Sequence, residues 1–422
     1  MRFAFITPRY GADITSGPEH ACRLLAEQVS VRHDVDVLTT CAHDPRTWKN
    51  EYPEGTDRMR GVLVRRFPAS HLHDAIGFEQ HSARLRALPR TRADEIGWSR
   101  RLGPQSNGLI EYLRRQHRNY DALIFFSLLH ATTVDGAQIA PERTIVFPYL
   151  QLVPALRFGL WTDLLSSVKA IGLVSDAERE LLFRYIGVAP GAEETVGIGI
   201  EPPPQLSYPR HQQDPADAVT TDDLSPDASE TDDGYLSSRG VTFRRRHRLY
   251  GAFALYGGRV ESDNGCEEML EYFESFAEAD GEMPLVLLGV KLMKVPESPH
   301  VRLGGVLPDR ERMAAFEAAD VAIVPAPDDL LAQSTLESLA VGTPVLTSAR
   351  NAAAVEHCAK ANGGLYYGSR EEFAEGLHML AHDPQLRAAL GENGRNYVRQ
   401  HHRWEHALGR FERLVGRVRA RP

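Results

Sequence analysis

Cysteine is scarce in this sequence. Only four of its 422 residues are cysteines, Cys22, Cys41, Cys266 and Cys358, and their spacing fits neither a metal module nor a redox pair. A disulfide-framed secreted fold is excluded. With no signal-peptide pattern at the start, the expectation is a reduced, cytoplasmic setting. Long apolar runs are missing too. None approaches the roughly 20 residues of a membrane helix, which leaves only peripheral contact with a membrane open. There is no excess of positive charge: 48 basic against 57 acidic residues give a net charge of −9, which argues against a general nucleic-acid binder. A Walker loop, a G-x-S-x-G elbow and zinc spacings are all lacking.

What is present is an alternation of short apolar runs and amphipathic segments. A chain of 422 residues exceeds the size at which a single core stops growing, so two domains are expected. Strands are predicted at 2–7, 35–39, 62–67, 122–126, 144–147 and 170–174, with helices between them, the first striped by Ala21, Leu24, Leu25 and Val29. Ser175 and Asp176 offer a cap for the helix through Leu181. Residues 70–103 read as helical without clear boundaries. This alternation makes residues 1–200 a doubly wound α/β domain. Residues 201–250 read as a linker whose stretch 212–238 is acidic, without Lys or Arg, and too poor in apolar surface to order itself. The strand–helix pattern restarts over 251–395. Helices are predicted at 370–381, 384–391 and 395–418, and the segment 396–422 reads as a C-terminal helix crossing back to the first domain. The fold class is therefore α/β, two facing Rossmann-like domains with a deep cleft between them.

The most informative stretch is 321–347, VAIVPAPDDLLAQSTLESLAVGTPVLT. Val321–Val324 is a buried strand closed by Pro325. After a loop, Ser334 and Thr335 read as caps for a helix carrying Leu336, Glu337 and Leu339, and Gly342-Thr343-Pro344 ends it before the next strand. In an open parallel sheet, ligands lie where strands end and helices begin, because the free N–H groups of a helix start can hold an anion. Arg259 follows Gly257-Gly258 at another strand end, suited to a diphosphate, and Glu337 is placed to accept from ribose hydroxyls. The Asp34-Val35-Asp36 spacing suggests a metal only superficially, since it opens a buried strand, and His71, His73 and His81 share no ligand geometry.

Taken in order, Leu255-Tyr256-Gly257-Gly258-Arg259, Gly265, Val301–Gly305, Thr335–Ala340 and Gly342-Thr343-Pro344 resemble the nucleotide-sugar half of the retaining glycosyltransferases of GT-B architecture, family 4-like or group 1. That resemblance implies a donor diphosphate held by Gly258, Arg259 and the helix start at Ser334-Thr335, with the ribose on Glu337. It places Gly17 on a first-domain loop closing over sugar and acceptor, and it implies no metal and no bound cofactor beyond the nucleoside-diphosphate sugar itself. The acceptor is left open among a saccharide, a lipid-linked sugar and a small molecule. Asn264 stands where the family has a lysine, Asp329 where it has the first of two glutamates, and Ala332 where it has a glycine. Gln151 stands where a histidine adjoins the reacting sugar, so Asp329 and Gln151 are the candidate catalytic positions. Gln cannot exchange a proton. Two readings follow: a retaining glycosyltransferase, or a transferase-like subunit that binds or regulates a related transferase.

Overall fold

The computed structural model describes residues 1–14, 17–87, 89–187, 192–201, 238–280 and 283–419. The acidic stretch 212–238 falls, but for its last residue, outside them. The first sheet contains β1 (Arg2–Ile6), β2 (Asp34–Thr40), β3 (Gly55–Met59), β4 (Val62–Phe67), β5 (Ala122–Phe126), β6 (Thr144–Phe147), β7 (Ala170–Leu173) and β8 (Glu193–Thr195), in the order β3-β4-β2-β1-β5-β6-β7-β8. All neighbours are parallel except β3 and β4. Strands β5 and β6 are buried along their whole length, as expected where helices cover both faces of a parallel sheet. Strand β3 escaped the sequence reading because its residues GTDRM are polar and lie exposed at the sheet edge. It is joined to β4 by Arg60 and Gly61, both at positive φ (46° and 89°), the backbone signature of a tight hairpin turn.

The second sheet contains β9 (Ala254–Gly257), β10 (Leu285–Leu288), β11 (Val301–Gly305), β12 (Val321–Val324), β13 (Val345–Ser348) and β14 (Gly364–Tyr367), all parallel, in the order β11-β10-β9-β12-β13-β14. The connections reverse direction between β9 and β12, so the point where ligands bind in such sheets lies at the ends of these two strands. In the first sheet the equivalent point is between β1 and β5.

The C-terminal helices depart from the expected breaks. One helix runs from Pro384 to His401 without interruption, and a second from Trp404 to Arg419. The break expected between 391 and 395 does not occur: Gly391 and Gly394 sit inside the first helix, which lies against the helix Gln333–Val341. A Cβ at Gly391 would come within 2.1 Å of the Gly342 carbonyl oxygen, and one at Gly394 within 2.8 Å of the Leu339 side chain. The second helix packs on the first domain, with Phe411 edge-on to Phe3 and tilted against Phe5. No helix among the described residues is long and apolar enough to cross a membrane.

The two domains meet through one continuous apolar cluster, in which Leu330, Leu331 and Ala332 of the β12 loop join the first-domain core. At the rear, Lys360 pairs with Asp176 at 2.8 Å and the Ala177 N–H donates to Glu356 at 2.7 Å. A cavity of about 690 Å³ lies there, lined by Asp176, Arg179, Lys360, Tyr397 and His402 among others.

Candidate functional site

The helix Gln333–Val341 starts directly beyond β12, and its first residue is not where the cap residues suggested. The N-cap is Ala332, in the left-handed conformation (φ 48°, ψ 36°), and no side chain caps the helix. Ser334 and Thr335 fall inside its first turn. The reason is Asp329: its Oδ1 accepts the N–H groups of Leu331 (3.1 Å) and Ala332 (3.3 Å), closing a turn that delivers the chain to the helix from the wrong side for Ser334 to cap. The first N–H groups of this helix therefore lack a capping partner, as an anion site requires. Burial pushes the Asp329 carboxyl above its ordinary pKa, against the pull of those two N–H groups.

Ser334 ties the helix to the end of β9. Its hydroxyl donates to the Gly257 carbonyl at 3.0 Å and accepts from Arg312 Nη2 at 2.9 Å. Arg312 is the residue the sequence reading missed. Carried by the helix Asp309–Ala318, it also donates through Nε to Glu337 at 2.7 Å. Glu337 is only 7% exposed, and its other oxygen accepts from Gln333 Nε2 at 2.7 Å. Thr335 is fully buried and its hydroxyl oxygen has no partner, so it backs the site from inside. Beyond Gly258, Arg259 pairs with Glu261 at 2.9 Å. Asn264 Nδ2 closes the same loop on the Arg259 carbonyl (2.9 Å) and on Glu261 Oε1 (3.2 Å). Gly265, at φ 71°, lets this loop press on Pro325, where a Cβ would come within 3.0 Å of the carbonyl oxygen.

The first domain faces this site with the loops after β1, β5 and β6. The helix Gly17–Val29 begins at Gly17, which has φ 75°. Two residues on, Glu19 is buried and receives Arg9 Nε at 2.9 Å. His20 crosses to the second domain, its Nε2 bonded to Gln333 Oε1 at 2.7 Å. After β5, Ser127 (φ 73°) is hydrogen-bonded to His130 Nδ1, and burial lowers the His130 pKa to about 4, so the ring is neutral at neutral pH. After β6, Tyr149 (φ 46°) is buried, within electrostatic reach of Asp329 and Glu19. The buried Glu178 carboxylate fixes that loop by accepting the Leu150 N–H at 2.9 Å and the Val174 N–H at 2.8 Å. Its own helix start is capped by Ser175, as the sequence suggested.

Residues 243–397 match the family model of glycosyl transferases, group 1. The match lies within the second domain. The solved structures similar to the chain share its fold over nearly all of both chains. Sucrose-phosphate synthase from Thermosynechococcus elongatus is 15% identical with a TM-score of 0.65, covering 99% of this chain and 98% of that one. Anabaena HepE, in complex with UDP and glucose, is 13% identical with a TM-score of 0.65, covering 98% and 99%. An E. coli structure, described as trehalose-6-phosphate bound with UDP-2-fluoro glucose, is 13% identical with a TM-score of 0.63 and covers 100% of both. The architecture is GT-B.

Within the second domain, the structure brings Gly258, Ser334 and Glu337 to one place, together with Arg312 and Gln333. Arg259 and Asn264 lie on the adjoining loop. Asp329 shapes the helix start with the oxygen expected to face a sugar. Gln151 is exposed, and its β6 loop instead buries Tyr149. Asp36 of the D-x-D spacing is buried and bonded to Arg2 and Tyr120, each at 2.7 Å. No cluster of three or more metal-ligating side chains occurs among the described residues. Arg312, His20 and His130 carried no motif. Only the apolar residues that follow Arg312, Met313 to Phe316, hinted that it lies on an inward helix face.

Proposed function

We propose that the protein transfers a sugar from a nucleoside diphosphate to an acceptor, with retention of anomeric configuration and without a metal. One observation carries this reading: an uncapped helix start lies at the switch point of the second sheet, laced to the glycine-ended strand β9 through Ser334. Backbone N–H groups and the Arg259 guanidinium would hold the leaving diphosphate there, an electrostatic role that needs no proton transfer. Glu337 would take the ribose hydroxyls. The acceptor would lie against the first domain, near neutral His130 and buried Tyr149, and water would be kept out by the apolar seam of Leu330 and Leu331. Because two structural neighbours are described with UDP-linked or UDP-accompanied glucose, UDP-sugars are the first donors to try. Four unpaired, buried thiols suit a reducing compartment, and we place the protein in the cytoplasm.

A second reading has its own support. The cations of the site already have carboxylate partners, Arg259 with Glu261 and Arg312 with Glu337, and Asn264 adds no charge. A chain built this way could bind or regulate a related transferase without turning over. Incubation with UDP-glucose and other nucleotide sugars, followed by assay of free nucleotide, separates the two. Nucleotide release that is lost in Arg259→Ala supports transfer. No release from any donor, with binding to a related transferase retained, supports the inert subunit.

A further inference from the structure

The side chains at the domain junction form a continuous chain of hydrogen bonds that converges on Glu337 from two sides. Arg23 is 4% exposed and can only donate, and its Nη2 lies 3.2 Å from His20 Nδ1. Nδ1 must then be the acceptor, which puts the ring proton on Nε2, where it donates to Gln333 Oε1 at 2.7 Å. With its carbonyl committed to His20, the Gln333 amide turns Nε2 towards Glu337 Oε1, also at 2.7 Å. Arg312 closes the other oxygen of Glu337 and passes on to Ser334 and Gly257. Each link from His20 to Glu337 pairs one donor with one acceptor, and reversing the Gln333 amide would break two bonds at once.

The consequence lies at Glu337. Each Glu337 oxygen already accepts from a side chain and the residue is 7% exposed, so a ribose diol reaching the carboxylate has to compete with those donors. Arg312 is held by two further anchors, the Ser334 hydroxyl and a cation–π contact with Phe316 at 5.5 Å. Gln333 is held from across the junction, by His20 of the first domain.

We propose that Gln333 is an intrinsic competitor for the ribose carboxylate, kept in place by His20, so that nucleotide binding and this arrangement of the two domains oppose each other. The inference rests on the reading that a nucleoside diphosphate binds at Glu337. It assigns Gln333 and His20 as positioning residues that couple nucleotide occupancy to domain contact: the incoming ribose frees Gln333, and the side-chain bridge between the domains opens.

Calorimetry with UDP, ADP and GDP on the full chain, paired with small-angle scattering, tests it on the wild type, Gln333→Leu and His20→Phe. One released hydrogen bond corresponds to a roughly two- to tenfold change in affinity. Both variants should therefore bind nucleotide that much tighter, and the double variant no tighter than Gln333→Leu alone. Nucleotide should enlarge the radius of gyration of the wild type and change that of Gln333→Leu less. Equal or weaker binding by both variants overturns the competition while leaving the nucleotide site standing. No binding by any of the three proteins overturns both the site and the coupling. Binding by the variants and not by the wild type would support the coupling in its strongest form.

Discussion

The loops at the two switch points differ in what holds them. In the second domain, side chains bond side chains: Ser334, Arg312, Glu337 and Gln333 interlock at 2.7–2.9 Å on regular helices. In the first domain, left-handed backbone at Ser127 and Tyr149 sets the surface, and the Glu178 carboxylate bonds backbone N–H groups. On the proposed reading, a site for a constant group, the nucleotide, suits fixed side chains on helices. A site for a variable acceptor suits loops whose shape is held from beneath, so that exposed residues can change without loss of the fold.

The sharpest way to break this comparison is Glu337→Ala. It strands the Arg312 guanidinium and removes the carboxylate proposed to accept from the ribose hydroxyls, and charged hydrogen bonds of this kind are worth about 2 kcal/mol. UDP affinity measured by calorimetry should fall by roughly thirtyfold or more. An undiminished affinity would detach the interlocked side chains from ligand binding altogether. On the first-domain side, Glu178→Gln keeps one acceptor oxygen and loses the other, and should cost about 1–3 kcal/mol in urea unfolding.

That same substitution has a pH signature. Burial pushes the Glu178 carboxyl up to about 7 from the ordinary 4.5. A raised carboxyl binds its proton more tightly in the folded protein than in the unfolded chain. Its contribution is therefore complete below pH 4.5 and lost as pH rises towards 7. The stability of the wild type relative to Glu178→Gln should decline across that window and be flat above it. A difference independent of pH would mean that the carboxylate stays ionised in the fold.

Smaller effects sharpen the contrast. Ala332→Gly relieves a left-handed alanine and should stabilise by about 0.5 kcal/mol or leave stability unchanged, because glycine's extra freedom in the unfolded chain offsets part of the relief. It should not weaken UDP binding. Gln151→Ala, at an exposed position, should lie within about 0.5 kcal/mol of wild type in stability. Any loss of donor turnover in that variant would reflect contact with substrate.

What was legible in the sequence follows the same division. The buried strands β1, β5, β6, β9, β10, β12 and β13 stand out as apolar runs because helices cover both faces, and Gly257-Gly258 with Glu337 marks the proposed nucleotide side. The polar edge strand β3 gives no such signal. Nor do Gly391 and Gly394, whose purpose is close approach to another helix, a relation between distant segments that local patterning does not contain. Ser334 resembled a cap because Ser and Thr usually cap, but the turn made by Asp329 moved the helix start forward. Arg312 and His20 were invisible for a related reason: each acts through a partner from another element, and only the folded chain says which.

The contact of Phe411 with Phe3 and Phe5 has a consequence for biogenesis. On the ribosome, the opening strand of the first sheet emerges with one aromatic face bare and must wait for nearly all of the second domain to be made before its cover arrives. An N-terminal fragment ending before the second domain would leave that face unsealed. The two halves are then mutual clients in folding, and the last helix acts as the clasp that completes the first.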